Sequence, residues 1–433
     1  MRWGQRHGRM LRRLVRDVPL AVVLLSGCHG TTDPPRSPCE DDWSQWRGPA
    51  RDGRSHVTDF ETTWPVTGPP ALWTFGTGNG LSSPSVSCER VYILGSDDLK
   101  CRAFCLDLAT GAELWAADIG DAYPGVGLDP PGPRSTPTVD EGRVFCLGPS
   151  GNLVALDTGN GSVLWKHALP EEFGGRKPPF GYAGSPVVIG NRLLVEVGGP
   201  DGFAYMAFDK ATGEPIWHSE DDRAAYSSPL PVRVDGLTQV IFFSWSEIVS
   251  IRPENGDVYW RLPWATTHGI NAATPLFVPP DRVLVTSGKA MGAMLIQMKQ
   301  ALAGIEPIPL WRERSLGAQN ATPVLHNGHV YGFDSHELVC LDVETGERKW
   351  KRGLAGRGAL TVAGGHLIAA VEEVGVVVVE ASPDSLHEIA ASPELAGQGF
   401  SAPVLAGHRL LYRAPEELMC LDVTPGFTLS EGP

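Results

Sequence analysis

Apolar residues along this chain fall in short runs broken by Gly, Pro, Asp and Asn, the pattern of buried β-strands joined by tight turns. One run–turn–run unit recurs. Val339–Trp350 reads VCLDVETGERKW, Cys105–Trp115 CLDLATGAELW, Ala155–Trp165 ALDTGNGSVLW, Ala207–Trp217 AFDKATGEPIW and Ser250–Trp260 SIRPENGDVYW. Within the eleven-residue unit, Gly stands seventh (Gly111, Gly161, Gly213, Gly256, Gly346) and Trp eleventh. Asp stands third except at Arg252. The Asp-x-x-Thr-Gly stretch is turn chemistry: short polar side chains bond the backbone, and Gly supplies a positive φ. The returning strand carries a Trp large enough to fill the wedge between neighbouring sheets.

A second element precedes each such pair: SSPSV at Ser82, STPTV at Ser135, GSPVV at Gly184, SSPLP at Ser227, ATPLF at Ala273, ATPVL at Ala321, ALTVA at Ala359 and SAPVL at Ser401. Small residues suit innermost strands crowded about one axis, and Pro is tolerated there because such a strand is a sheet edge. A further apolar run follows each. These units predict an all-β fold: one eight-bladed β-propeller of four-stranded antiparallel blades. The last unit lacks a Trp strand, whereas Leu72–Phe75 lies before the first unit with no strands of its own. That N-terminal strand is therefore predicted to complete the eighth blade. The fifth blade is degenerate (MLIQM, with Trp311 after a longer loop), and the seventh has no Trp.

Residues 1–27 read as a lipoprotein signal peptide. A basic n-region precedes the apolar run Val18–Leu25, which is too short to span a bilayer. Leu25-Ser26-Gly27-Cys28 resembles a bacterial lipobox with Cys28 as the lipidated residue; ordinary cleavage with an incidental Cys28 is the alternative. Residues 28–64 read as tether and lead-in, 65–427 as propeller and 428–433 as tail. The formal charge is −14; without residues 1–27, which hold six Arg and one Asp, 30 basic and 49 acidic residues remain. Such a surface, with no Lys/Arg-rich run beyond the N-terminus, argues against nucleic acid as a partner. Cys105, Cys340 and Cys420 share one strand position and read, with Cys146, as buried small residues. Cys39, Cys88 and Cys101 are left for pairing in an oxidising compartment, without an assignable bridge.

The repeat resembles the tryptophan-docking unit of the pyrroloquinoline-quinone (PQQ) dehydrogenase-like propellers, over essentially Leu72–Val423. The opening WSQWRGPARDG, Trp43–Gly53, is similar to the lead-in of secreted PQQ-like repeat proteins. Trp73, Trp115, Trp165, Trp217, Trp260, Trp311 and Trp350 are the structural docking residues the resemblance implies. The family holds both quinoprotein dehydrogenases and non-catalytic propellers, such as the lipoprotein of the outer-membrane β-barrel assembly machinery. Fold alone does not choose between them.

A quinoprotein needs PQQ on the axis, Ca²⁺ held by oxygen ligands and a carboxylate base. The alcohol-oxidising members also carry an adjacent Cys-Cys pair, which this chain lacks. Arg134, Tyr182, Tyr226, Asn271, Asn320, Arg357 and Phe400 stand just before inner strands, as candidate ligand-binding residues at a funnel mouth. Asn271 and Asn320 are potential cation ligands, and the nearest carboxylates are Asp121 and Asp129. An alternative is that Tyr182 and Tyr226 plug the channel while the arginines are solvated. His268, and His326, His329 and His336, read as turn residues rather than metal ligands; no nucleophile or phosphate-loop motif appears. The expectation is a non-catalytic, lipid-anchored bacterial envelope protein, on the periplasmic side of the outer membrane. It would be a monomer or part of a hetero-complex with envelope proteins, and no cofactor is expected. The alternatives are a PQQ- and calcium-dependent dehydrogenase, or a sensor that binds a small ligand in the funnel.

Overall fold

The computed structural model describes residues 42–426, apart from 127–129, 289, 302–303, 396, 398 and 400. Cys28, Cys39, Asp129, Phe400 and the tail 428–433 lie outside the described residues. The chain forms eight four-stranded antiparallel sheets. Blade 1 runs Ser85–Ser87, Arg90–Ser96, Lys100–Asp107 and Glu113–Asp121, from axis to rim. Blades 2 to 7 repeat this order, and adjacent innermost strands touch around the ring. As predicted, Ala71–Gly76 pairs with Glu417–Asp422 and completes blade 8 with the last three strands of the chain.

The outer strands carry a regularity that the sequence did not disclose. In every blade, the outer-strand residue just before the docking-Trp position drops out of register and bulges. These residues are Leu72, Leu114, Leu164, Ile216, Tyr259, Leu310, Lys349 and Ile389, and seven of the eight directly precede the docking Trp. A bulge adds local twist and re-aims the following side chain. Here it turns the Trp inward and leaves its neighbour outside, so Leu72, Leu114, Leu164, Ile216 and Leu310 are exposed aliphatics.

Each docking Trp then joins two blades. The indole N–H of Trp73, Trp115, Trp165, Trp217 and Trp311 donates to a carbonyl in the next blade's turn, at 2.9–3.2 Å. The acceptors are Leu108, Thr158, Lys210, Pro253 and Val343. The ring packs on the turn glycine, so the Gly is needed for space as well as for its positive φ: a Cβ on Gly161 would lie 2.6 Å from Trp115.

The two degenerate blades are compensated differently. Blade 5 has no Asp-Gly turn, and its long outer hairpin, Gly292–Ala301 with Gly304–Glu313, buries Met298 and Ile305 against blade 4. Trp260, deprived of a turn carbonyl, donates instead to Gln239 Oε1 of its own blade at 3.1 Å. Blade 7 has Ala390 where the others have Trp. The aromatic volume at that junction comes from the lead-in, where Phe60 and Trp64 pack into the cluster shared by blades 7 and 8.

Gly161→Ala and Gly142→Ala separate the two roles of the turn glycine. Both residues have positive φ, 70° and 79°, but a Cβ at Gly142 meets nothing within 4 Å. Gly142→Ala should cost about 1 kcal/mol of backbone strain. Gly161→Ala should cost about 2–4 kcal/mol, because the indole must move as well. Urea unfolding midpoints of the two variants test this.

Candidate functional site

The site on the axis begins with the Ser/Thr-Pro element. The hydroxyl residue before the Pro accepts a backbone N–H from the preceding blade: Thr136 N to Ser185 Oγ, Ser185 N to Ser228 Oγ and Thr274 N to Thr322 Oγ1, each 2.9 Å. These residues are therefore selected for a bond between inner strands as well as for small size. Pro contributes a carbonyl with no N–H beside it, so the ring of inner strands presents excess acceptors towards the axis.

Those acceptors are met by the lead-in, which touches all eight blades. Trp43 pairs with Val86 of blade 1, and Val139 N of blade 2 donates to Ser44 O at 2.7 Å. Arg51 donates to Pro186 O of blade 3 and to Pro229 O of blade 4. Trp46 Nε1 donates to Thr274 Oγ1 of blade 5 at 3.0 Å. Arg47 donates to Thr322 O (3.1 Å) and Pro323 O (2.6 Å) of blade 6. Ser55 bonds Val362 O of blade 7 through its N–H and Leu405 O of blade 8 through its hydroxyl, both at 2.9 Å. Arg413 fills a similar place between blades 8 and 1, donating to Leu94 O, Ser82 O and Gly78 O. All three arginines are buried and bond chiefly to carbonyls. Burial lowers their pKa to about 10 for Arg47 and about 9 for Arg51 and Arg413. WSQWRGPARDG gave no sign of this, since the carbonyls that Arg47 and Arg51 reach lie far along the chain.

Above this plug lies a cavity of about 850 Å³, with Trp46 among its lining residues. Four of the predicted funnel residues line it: Arg134, Tyr226, Asn320 and Arg357. Arg134 is committed to Pro130 O and Gly132 O and lies 4.9 Å over the Tyr123 ring. Arg357 pairs with Glu372 at 3.1 Å. Tyr226 sits 5.8 Å from Phe180, which also lines the cavity. Two predicted members are elsewhere. Tyr182 is buried between blades 2 and 3, with its hydroxyl on Val197 O at 2.9 Å. Asn271 is fully buried: its amide donates to Ser244 O (2.7 Å), and its Oδ1 accepts from Ser287 and Thr266 hydroxyls. That oxygen is spent on the fold and is not a cation ligand.

The residues present do not fit PQQ with calcium. Among the described residues, no group of three His, Cys, Asp or Glu is placed to hold a metal ion. Asp121 is engaged by Lys100 at 2.8 Å. His329 bonds its own turn, and His326 is held below its usual pKa by burial, Arg54 and His366. Of the cysteines left for pairing, Cys88 is disulfide-bonded, while Cys101 is a free buried thiol and takes no part in a bridge. Sequence reasoning also missed Glu196. It is buried, with Oε2 accepting Ala225 N–H at 3.2 Å and Oε1 unpartnered. Burial first, then the charge of Asp222, raises its pKa well above the usual range.

Comparison with known proteins follows the same outline. The family described as outer membrane protein assembly factor BamB matches residues 100–352. The outer membrane protein assembly factor BamB of Burkholderia pseudomallei (strain K96243) is 27% identical over 79% of this chain and 80% of its own length. The serine/threonine-protein kinase AfsK of Streptomyces griseus is 32% identical, over 42% of this chain and 20% of its own length. A europium-containing methanol dehydrogenase superposes with a TM-score of 0.62 over 87% of this chain and 88% of that one, at 13% identity, a likeness of fold.

Arg51→Met would strip two carbonyls of their donor while relieving a buried charge, and should cost about 1–3 kcal/mol in a thermal melt. Glu196→Gln should act in the opposite sense. Glu196 ionises near 4.5 when unfolded but keeps its proton to higher pH when folded. Stability is therefore lost as pH rises above the unfolded value, up to the folded one. The variant should gain about 1 kcal/mol or more at pH 7.5 and nothing at pH 4, read from urea unfolding at the two pH values.

Proposed function

The chain belongs to the family described as outer membrane protein assembly factor BamB, and from that membership we propose that it is a non-catalytic scaffold of the bacterial cell envelope. In this reading Cys28 carries a lipid that holds the disc at the periplasmic side of the outer membrane. Its exposed loops and rim would then present a rigid surface to protein partners that assemble outer-membrane proteins.

The observation that carries the reading is the plugged axis. Trp46, Arg47 and Arg51 tie the lead-in to the inner strands of several blades, and such cross-bonding would stiffen the disc. A scaffold needs such stiffness, because binding then costs little ordering of the surface it offers. Chemistry on PQQ and calcium is disfavoured by the donor set: Asn271 is spent on the fold, and among the described residues no group of three His, Cys, Asp or Glu is placed to hold a metal ion.

Three measurements test the proposal. Cys28→Ser should move the protein from the membrane fraction to the soluble periplasmic fraction. Deletion of the gene in its host should lower the folded β-barrel content of the outer membrane, and the full chain should restore it. Calorimetric titration of the purified protein with PQQ and Ca²⁺ should give no saturable heat. Unchanged barrel content in the deletion strain, or saturable PQQ binding with alcohol oxidation, would overturn the scaffold reading.

A further inference from the structure

The axial cavity has properties that a scaffold does not call for. Its volume of about 850 Å³ is in the range of small-molecule sites, and Trp46 of the plug is among its lining residues. Aromatic rings line it: Trp46 from the plug, and the neighbouring pair Phe180 and Tyr226. The polar groups around them are largely hydrogen-bond donors in waiting. Ser185 Oγ and Ser228 Oγ each accept a backbone N–H, and Thr274 Oγ1 accepts the Trp46 indole N–H. A hydroxyl that has accepted in this way still has its own proton to give. The amides of Gln319 and Asn320 line the same space, and among the described residues neither has a hydrogen-bond partner.

Charge decides what these donors are for. Among the described residues, the cavity lining holds two cations, Arg134 and Arg357, and two carboxylates, Glu372 and Glu373. Arg357 is neutralised by Glu372, and Arg134 is turned to backbone carbonyls and to Tyr123. No net positive charge is left to hold an anion, so a multiply charged acid would enter against its own desolvation without a partner. What remains is an aromatic platform beside neutral amides and hydroxyls. This suits a molecule with one apolar C–H face and a girdle of hydroxyls. We propose that the axial cavity is a binding site for a neutral oligosaccharide. A pyranose ring would lie against Trp46 or the Phe180–Tyr226 pair, and its hydroxyls would bond Asn320, Gln319 and the inner-strand hydroxyls. This site is independent of the membrane-assembly reading and stands or falls apart from it.

The test is calorimetry and tryptophan fluorescence on the full chain with three neutral probes: maltotriose, cellotriose and chitotriose. Trigalacturonate serves as the anionic control. At least one neutral probe should bind saturably with a Kd of about 1 mM or tighter and perturb the tryptophan emission. Asn320→Ala, an exposed position whose loss leaves the fold's hydrogen bonds intact, should weaken that binding about tenfold, as loss of a hydrogen bond to a bound polar ligand does. Trp46→Phe should retain partial affinity while removing the fluorescence response. Trigalacturonate should bind at least tenfold more weakly than its best neutral counterpart. The proposal is overturned if no neutral probe binds up to about 10 mM, if trigalacturonate binds best, or if Asn320→Ala leaves the affinity unchanged. None of these results bears on whether deletion of the gene affects outer-membrane barrels.

Discussion

Eight sheet edges meeting at one axis impose the constraint on which this molecule depends. An innermost strand has no further strand to bond, and its backbone groups face a space that is neither open solvent nor a packed core. Pro before the strand removes donors from that edge but cannot remove acceptors. The chain answers with hydroxyls that stitch neighbouring inner strands and with three guanidiniums that collect carbonyls in pairs or threes. A guanidinium suits this place because its planar fork reaches several acceptors at once and stays charged when buried. The plug is thus part of the ring's own hydrogen bonding.

The repeats were legible because their signature is chemical as well as periodic. Gly111, Gly161 and Gly213 mark turns where only a residue without a side chain clears the neighbouring indole. Closure by Leu72–Phe75 could be inferred from counting strands, since one spare strand at the start and a blade short of one at the end leave a single arrangement. The bulges could not be read. A residue slipping out of register needs no particular side chain, and Leu114 or Ile216 looks like any buried strand residue until pairing shows it outside.

The funnel was half legible for a related reason. Position before an inner strand predicts nearness to the axis, but not whether a side chain faces the cavity or the seam between blades. Arg134, Tyr226, Asn320 and Arg357 face the cavity, whereas Tyr182 and Asn271 turn into the seam. Tyr182 can do so because Val197 offers its hydroxyl an acceptor. Asn271 is drawn in by free carbonyl and hydroxyl groups at the junction of blades 4 and 5. The deciding groups lie far away in the chain, and no local pattern announces them.

Ring closure by the first strand has a consequence for how the chain is made. Ala71–Gly76 finds its partner only in Glu417–Asp422, near the far end of the polypeptide. A chain emerging from a ribosome or a translocation pore can build its early blades one after another, but Ala71–Gly76 must wait for the last strands of the eighth blade. Pairing across so long a separation is slow, and an unpaired edge is open to wrong partners meanwhile. The closed disc is therefore also a record that its eighth blade has been made. A truncated product would lack the strand that fastens its beginning, and with it the eighth side of the ring that holds the arginine plug. Quality control that senses loose segments would have in this one strand a direct sign that the ring had closed.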